Sequence, residues 1–291
     1  MLTRYTTAEN GKPIKQAEIY TAEEHGVRRE HIDSDALSIA RRLADAGYSA
    51  YVVGGAVRDL MVGKEPKDFD LVTDAQPGRI RRPFRNSRVI GKRFRLVHVV
   101  FKDRKIIEVS TFRSQEASGF NNIYGAIEED VLRRDFTINA LYYDTRDETL
   151  LDYVGAMGDF KSKKLRPVIP LSRIFEEDPV RMIRAIKYST STGFRMTYAL
   201  RRQIKRSVDN LSETSPSRMT EELFKILGSG HAAGMFEEFY RLGMAKYVLP
   251  ALEALSKDKA HRGFDRKFLE SMRNLDRLVN DEEESRRYVH L

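Results

Sequence analysis

The chain has 291 residues, 41% of them hydrophobic, which is enough for one large domain or two or three small ones. It contains no cysteine, which excludes disulfides and thiolate metal sites, and its net charge of +8 favours a polyanionic partner. No stretch approaches the ~20 apolar residues of a membrane span, and the first residues, Met1 to Thr7, lack the apolar run of a signal peptide, so the sequence reads as soluble, cytoplasmic and without a membrane partner.

Residues 1–30 are polar and mixed in charge, with Gly11 and Pro13, and read as a loosely ordered extension. Asp33 or Ser34 caps a helix whose apolar face is Ala36, Leu37, Ile39, Ala40, Leu43 and Ala44, and Gly47 stops it. A short apolar run at residues 50–53 then ends in Gly54-Gly55 and an amphipathic turn, Ala56 to Leu60. After a polar loop with Gly63 and Pro66, a second apolar run at residues 69–72 carries Asp68 and Asp70. In a strand, residues i and i+2 share a face, so the two carboxylates point one way while Phe69 and Leu71 point into a core. Two carboxylates held ionised side by side favour a divalent cation with a taste for oxygen, such as Mg²⁺. The paired glycines leave backbone N–H groups for an anion at a helix start. Either feature alone fits an ordinary Gly turn or two solvated acids. Both within one strand–helix–strand unit point to nucleotide chemistry.

Beyond Asp74 a short helix opens near Pro77. Residues 79–105 are densely basic, with Asp103 as the single acid, and form either a solvated surface or a phosphate-binding face. Two alternating strands lie at 94–101 and 106–112, joined by a turn at residues 103–105. Glu108, in the second, is either its solvent face or a third carboxylate beside Asp68 and Asp70. Residues 114–126 lack periodicity and read as a mobile loop. Residues 128–141 are helical in pattern and lead into a strand at 141–144, with Arg133, Arg134 and Asp135 compatible with a surface ion pair. The basic stretch 161–166 marks a domain boundary, after which sheet character fades. Asp178 and Pro179 suit the start of a helix in which Arg181 pairs back with Asp178 or Glu177. Further helices follow at 198–208, 216–227, 231–242 and, more weakly, 266–278, ahead of a charged tail.

Four motifs thus stand in order: Gly54-Gly-Ala-Val-Arg-Asp with Asp68-Phe-Asp70; Glu108 in Ile-Glu-Val-Ser-Thr-Phe-Arg; Arg133-Arg-Asp-Phe-Thr-Ile-Asn-Ala140; and Glu177-Asp-Pro-Val-Arg181. Together, over residues 19–250, they resemble the class II nucleotidyltransferases of the polymerase-β-like superfamily. That group contains bacterial poly(A) polymerases and CCA-adding tRNA nucleotidyltransferases. The resemblance implies an α+β fold: a nucleotidyltransferase head over residues 31–160, a helical neck over 161–230, and a helical body from 231 to 291. It also implies two Mg²⁺ ions on Asp68 and Asp70, with Glu108 as third catalytic acid. Gly54, Gly55 and Arg58 would meet the triphosphate, Asp135 the ribose 2′-hydroxyl, and Arg134 would position the nucleotide. Asp178 and Arg181 would read the base, and Arg218 and Glu222 match a helical motif supporting the neck.

A carboxylate that only accepts and a guanidinium that only donates match adenine and cytosine, and leave guanine and uracil mispaired. Residues 89–99, with Lys92, Arg93 and Arg95 as candidate RNA contacts, look like the poly(A) polymerase form of a segment where CCA-adding enzymes carry a His-Gly-Thr core. The implied substrates are ATP and an RNA 3′ end, of mRNA or tRNA. The reaction is addition of AMP with release of pyrophosphate, the alternative being CCA addition to tRNA. Two departures are a short 114–126 loop and the missing long C-terminal region with its basic tail, so the body is expected to be incomplete.

Overall fold

A computed structural model of the chain describes residues 1–7, 12–91, 96–114, 124–257 and 263–289. Two compact units divide after Ser162. The first contains β1 (Leu2–Thr7), β2 (Pro13–Tyr20), α1 (Ala22–His25), α2 (Ser34–Asp45), β3 (Ala50–Val53), α3 (Gly55–Met61), β4 (Asp70–Thr73) and α4 (Pro77–Ile80). It continues with β5 (Ser87–Ile90), β6 (Leu96–Val100), β7 (Ile106–Thr111), α5 (Ile127–Leu132), β8 (Leu141–Asp144), β9 (Thr149–Asp152) and α6 (Ala156–Ser162). The strands form one mixed sheet of order β1-β2-β9-β8-β3-β4-β7-β6-β5. Only β4 and β7 in it run parallel.

The two faces of this sheet differ. Val52, Leu71, Ile107, Val109, Val97 and Val99 alternate onto one face and pack with Ile39 and Leu43 of α2 and Ile80 of α4. Asp33 starts α2 as the sequence predicts, its carboxylate accepting from the amides of Asp35 and Ala36 at 2.9 and 3.2 Å. On the other face, Tyr51, Tyr142 and Phe112 bury one end, with ring centroids 6.2 Å apart for both Tyr51 pairs. Toward β5 that face opens: Asp70, Arg88 and Ile90 are exposed, and Glu108 and His98 are half-buried.

Two expectations fail here. Residues 1–30 are not a loose extension: β1 and β2 pair antiparallel, and β2 joins the sheet on β9. The helix expected over 128–141 stops at Leu132, and a short 3₁₀ turn (Thr137–Asn139) follows. The break is tertiary in origin, because Asp130 and Arg134 both turn to the buried hydroxyl of Tyr142, at 2.7 and 2.8 Å.

The second unit is helical: α7 (Ile174–Glu177), α8 (Val180–Thr192), α9 (Tyr198–Ser207), α10 (Pro216–Leu227), α11 (Ala232–Leu242), α12 (Ala245–Val248), α13 (Pro250–Lys257) and α14 (Phe264–Val289). A two-stranded parallel pair, β10 (Lys164–Leu165) with β11 (Arg195–Met196), precedes and follows α8. Phe236 of α11 packs edge-on to Phe268 of α14, with centroids 4.9 Å apart. Asp276 of α14 accepts the first two amides of α11, from Ala232 and Ala233, at 2.6 and 2.9 Å. That satisfies donors no residue of α11 could satisfy itself. No described helix is long and apolar enough to cross a membrane.

Candidate active site

The site grows out of the end of β3. Val53 pairs with Asp70, after which Gly54 turns the chain away at φ 71° and ψ −128°, a conformation open to glycine. Because β3 ends there, residues before Asp70 have no strand to pair with. Asp68 therefore lies just ahead of β4 rather than in it, contrary to the sequence expectation. The alternation nevertheless holds: Asp68 and Asp70 are both exposed, Phe69 packs on the core, and Leu71 is buried.

On the other side of β4, Asp70 is the register partner of Glu108 across the parallel β4–β7 pair. Neighbouring strands lie about 4.8 Å apart, so these two carboxylates leave one open face side by side. Glu108 is in turn the partner of His98 on β6, whose Nε2–H donates to Glu108 Oε1 at 3.0 Å. The imidazole orients the carboxylate from the side away from Asp70. Nothing in the sequence reading singled out His98. Its role depends on the register of the β6–β7 hairpin, where Lys102–Arg104 form the 3₁₀ turn, and a slip of one residue would face it into the core.

Across the Gly-Gly turn, the third motif meets the first. Arg58 of α3 donates through Nη1 to Asn139 Oδ1 at 3.0 Å, and through Nε to Asp59 at 2.9 Å. Asn139 Nδ2 donates to Asp135 Oδ1, also at 3.0 Å, and the same Oδ1 accepts the Phe136 amide at 2.7 Å. Arg58 and Asp135 are thereby tied through one buried asparagine that the sequence reading quoted but gave no role. Arg134 sits behind the turn: a Cβ on Gly54 would stand 3.8 Å from its Nη1. Its guanidinium donates to Tyr142 Oη, Asn139 O and Asp130 Oδ2 at 2.8, 3.2 and 3.1 Å, and stacks over the Tyr142 ring. Burial opposes its charge, but Tyr142 and Asp130 outweigh burial and hold its proton more firmly than usual. The guanidinium is therefore fixed in place beside the Gly54 turn.

In the helical unit, Asp178 precedes α8 in extended backbone and accepts the Val180 amide at 3.2 Å. Its other oxygen accepts from Arg218 Nη2 at 2.8 Å. Arg181 donates to Glu177 Oε2 and to the Ile174 carbonyl, at 3.1 and 3.2 Å. Both side chains are thus braced from behind, and a carboxylate oxygen bonded once still has a lone pair to offer. One turn further along α8, Arg184 and Lys187 converge on buried Glu222 of α10 at 3.0 and 2.6 Å. Lys92, Arg93, Arg95 and the centre of the 114–126 loop lie outside the described residues.

Whether these residues suit Mg²⁺ follows from the donor set. Among the described residues no three His, Asp or Glu side chains close around one point. Mg²⁺ does not demand such a cage: it is usually held by one or two carboxylates together with substrate phosphates and water. Exposed Asp68 and Asp70, with Glu108 in register beside Asp70, fit that partial set.

The chain is similar to known proteins over most of its length. Residues 50–166 match the family described as "Poly A polymerase head domain", and residues 193–256 match "Probable RNA and SrmB-binding site of polymerase A". The chain is 36% identical to poly(A) polymerase I of Escherichia coli over 94% of its own length and 62% of that protein's. It is 34% identical to the CC-adding tRNA nucleotidyltransferase of Halalkalibacterium halodurans over 78% of its length and 56% of the relative's. The fold superposes on the Bacillus stearothermophilus CCA-adding enzyme in complex with CTP with a TM-score of 0.65 and 34% identity, covering 73% of this chain and 52% of that one. The chain therefore spans between half and two thirds of the length of these relatives. With the carboxylate pair, the Gly-Gly turn and the Arg134–Asp135 motif assembled in one head, the chain belongs to the class II nucleotidyltransferases, the family shared by bacterial poly(A) polymerases and CCA-adding enzymes.

Proposed function

We propose that the protein is a template-independent poly(A) polymerase that transfers AMP from ATP to the 3′ end of RNA. The observation that carries this is the register pairing of Asp70 with Glu108, one residue from the Gly54 turn. In the reaction the RNA 3′-oxygen forms a bond to the α-phosphorus, the bond from that phosphorus to the bridging oxygen breaks, and pyrophosphate leaves. The hydroxyl proton passes to solvent. Asp68 and Asp70 would hold two Mg²⁺ ions, which when bound lower the pKa of the attacking hydroxyl and neutralise the leaving oxygens. The chain's own residues do the rest by position and fixed charge. Arg58 and the glycine turn hold the triphosphate, Asp135 accepts from the ribose 2′-hydroxyl, and Arg134 keeps the turn positive from below. Asp178 accepts from an exocyclic amino group and Arg181 donates to a ring nitrogen, which favours adenine and cytosine alike. We take residues 161–230 as the neck and residues 231–291 as body, and the cytoplasm as the compartment.

The choice of adenine over cytosine is supported by the greater extent of similarity to poly(A) polymerase I, 94% of the chain against 78% for the CC-adding relative. It is decided by incubating the protein with Mg²⁺, one NTP at a time, and either a tRNA lacking its 3′ end or an unstructured RNA. Long tails from ATP alone on both RNAs are expected. Stepwise C and then A confined to the tRNA would establish CCA addition instead. RNA binding with no incorporation of any nucleotide would identify a non-catalytic RNA-binding protein. Asp70→Ala should abolish incorporation with unchanged circular dichroism, and retained activity would remove Asp70 from the metal site.

A further inference from the structure

The outer strand of the head carries charge that the chemistry above does not use. Between Ala75 and Lys102 the chain has no Asp or Glu. In this span Arg79, Arg81, Arg82, Arg85 and Arg88 are all exposed, and among the described residues none of them has an ion-pair or side-chain hydrogen-bond partner. Arg88 belongs to the edge strand β5, and it lies in line with the site. Asp70 pairs with Glu108, Glu108 with His98, and His98 with Arg88. Directly opposed residues share a face, so one side chain from each of four neighbouring strands forms a row on the open face of the sheet. Three steps of about 4.8 Å put Arg88 about 14 Å from Asp70. An extended RNA strand covers that distance in a few nucleotides.

We infer that this row marks the path of the RNA: the 3′-hydroxyl lies at the carboxylates, and upstream phosphates lie on Arg88 and, around the β5 edge, on Arg85. Arg79, Arg81 and Arg82 extend the positive field beyond it. The inference rests on the transferase reading for the position of the 3′ end. Its own support is the alignment of Arg88 with the site and the unbroken single sign of the span. Guanidinium groups match phosphate oxygens two at a time, and cations without internal partners release counterions when a polyanion replaces them. A protein partner would call for an apolar centre, whereas Val89 and Ile90, the exposed large apolar residues of β5, are only 36% and 37% accessible. Edge-strand arginines also guard a sheet against pairing with another chain, and that role predicts no effect on RNA.

The test uses the full chain and two readouts. In the first, Arg85→Gln/Arg88→Gln is compared with the parent protein in ATP incorporation onto a dinucleotide primer and onto a long oligoadenylate. KM for the long RNA should rise about tenfold, and the slope of log(kcat/KM) against log[salt] should shrink by about 1.4, two contacts at about 0.7 each. KM for ATP and all constants for the dinucleotide should stay put, because the dinucleotide does not reach the edge. Equal loss on both primers, or no loss on either, overturns the path. In the second, fluorescence anisotropy of a labelled long RNA is measured on Asp70→Ala protein with and without the two glutamines. Weaker binding with the glutamines supports the path even if no protein incorporates nucleotide, in which case the transferase reading alone fails. Unchanged binding overturns the path while leaving the transferase reading to the incorporation assay.

Discussion

Replacing Glu222 by Gln probes the polar joint between α8 and α10. Glu222 is 3% exposed, with Arg184 Nε at 3.0 Å and Lys187 Nζ at 2.6 Å. Burial by itself would push the carboxyl up, but the Lys187 and Arg184 charges prevail and hold it below the ordinary carboxylate range. The amide keeps the shape and removes the charge, taking from Lys187 and Arg184 the carboxylate they share. Removing one partner of a buried pair costs about 3–5 kcal/mol. The Arg184 side chain is 32% exposed and recovers part of its solvation, so the lower end, about 3 kcal/mol, is expected. For a unit of residues 163–291, that corresponds to a fall in Tm of about 10 °C. The pH dependence has a definite sign. A lowered folded-state value means the contribution is complete above the unfolded value of about 4.3 and is lost as pH falls through the folded one. The gap between the two proteins in thermal or urea unfolding should therefore be widest at neutral pH and close only in acid below about pH 4.3. A gap that persists unchanged in acid would refute the electrostatic account. So would a Glu222→Leu/Lys187→Met double variant as unstable as the single one, since matched apolar replacement of a buried pair is close to neutral.

Three more outcomes follow from the site. Gly54→Ala meets no atom nearer than Arg134 Nη1 at 3.8 Å, so its cost is backbone strain at φ 71°, about 1–3 kcal/mol; KM for ATP should rise about tenfold while RNA affinity measured by anisotropy is unchanged. Asn139→Ala unties Arg58 from Asp135 and should lower kcat/KM for ATP by about tenfold or more, at about 1–3 kcal/mol for a broken buried link, with the circular dichroism spectrum retained; unaltered kinetics would show that the two side chains hold their places independently. Gly125→Ala would set a Cβ 2.7 Å from the Ser114 amide nitrogen and 2.8 Å from its Cα, so the base of the 114–126 loop must shift. A lower Tm is expected, and an unaltered Tm would count against the close packing of Gly125 on Ser114.

What the sequence disclosed, it disclosed where local chemistry decides. Asp33 caps α2, Pro216 opens α10, and the alternation Asp68-Phe69-Asp70-Leu71 points carboxylates out and apolar groups in. The N-terminal hairpin was hidden because its large apolar residues face solvent: Leu2, Tyr5 and Ile14 are 64%, 61% and 52% exposed. With mainly Ala17 and Tyr20 buried, β1 and β2 show no two-residue period. The break after Leu132 was hidden for the opposite reason. The pattern there is helical, and the competing pull comes from Tyr142, ten residues on and in another strand. His98 and Asn139 acquire meaning only through partners in other elements, and single-chain periodicity cannot supply those.

The strand order has a consequence for how the head is made. The half-sheet β3-β4-β7-β6-β5 is complete once Thr111 has emerged from the ribosome, but the other edge of β3 waits for Leu141–Asp144, and β2 waits for Thr149–Asp152. At about 5–20 residues per second, the intervening stretch of about 30 residues takes a few seconds to synthesise. For that time Tyr51, Val52 and Val53, all buried in the finished protein, border an open strand edge, the kind of surface on which nascent chains aggregate. A translational pause between codons 111 and 141 would lengthen that exposure.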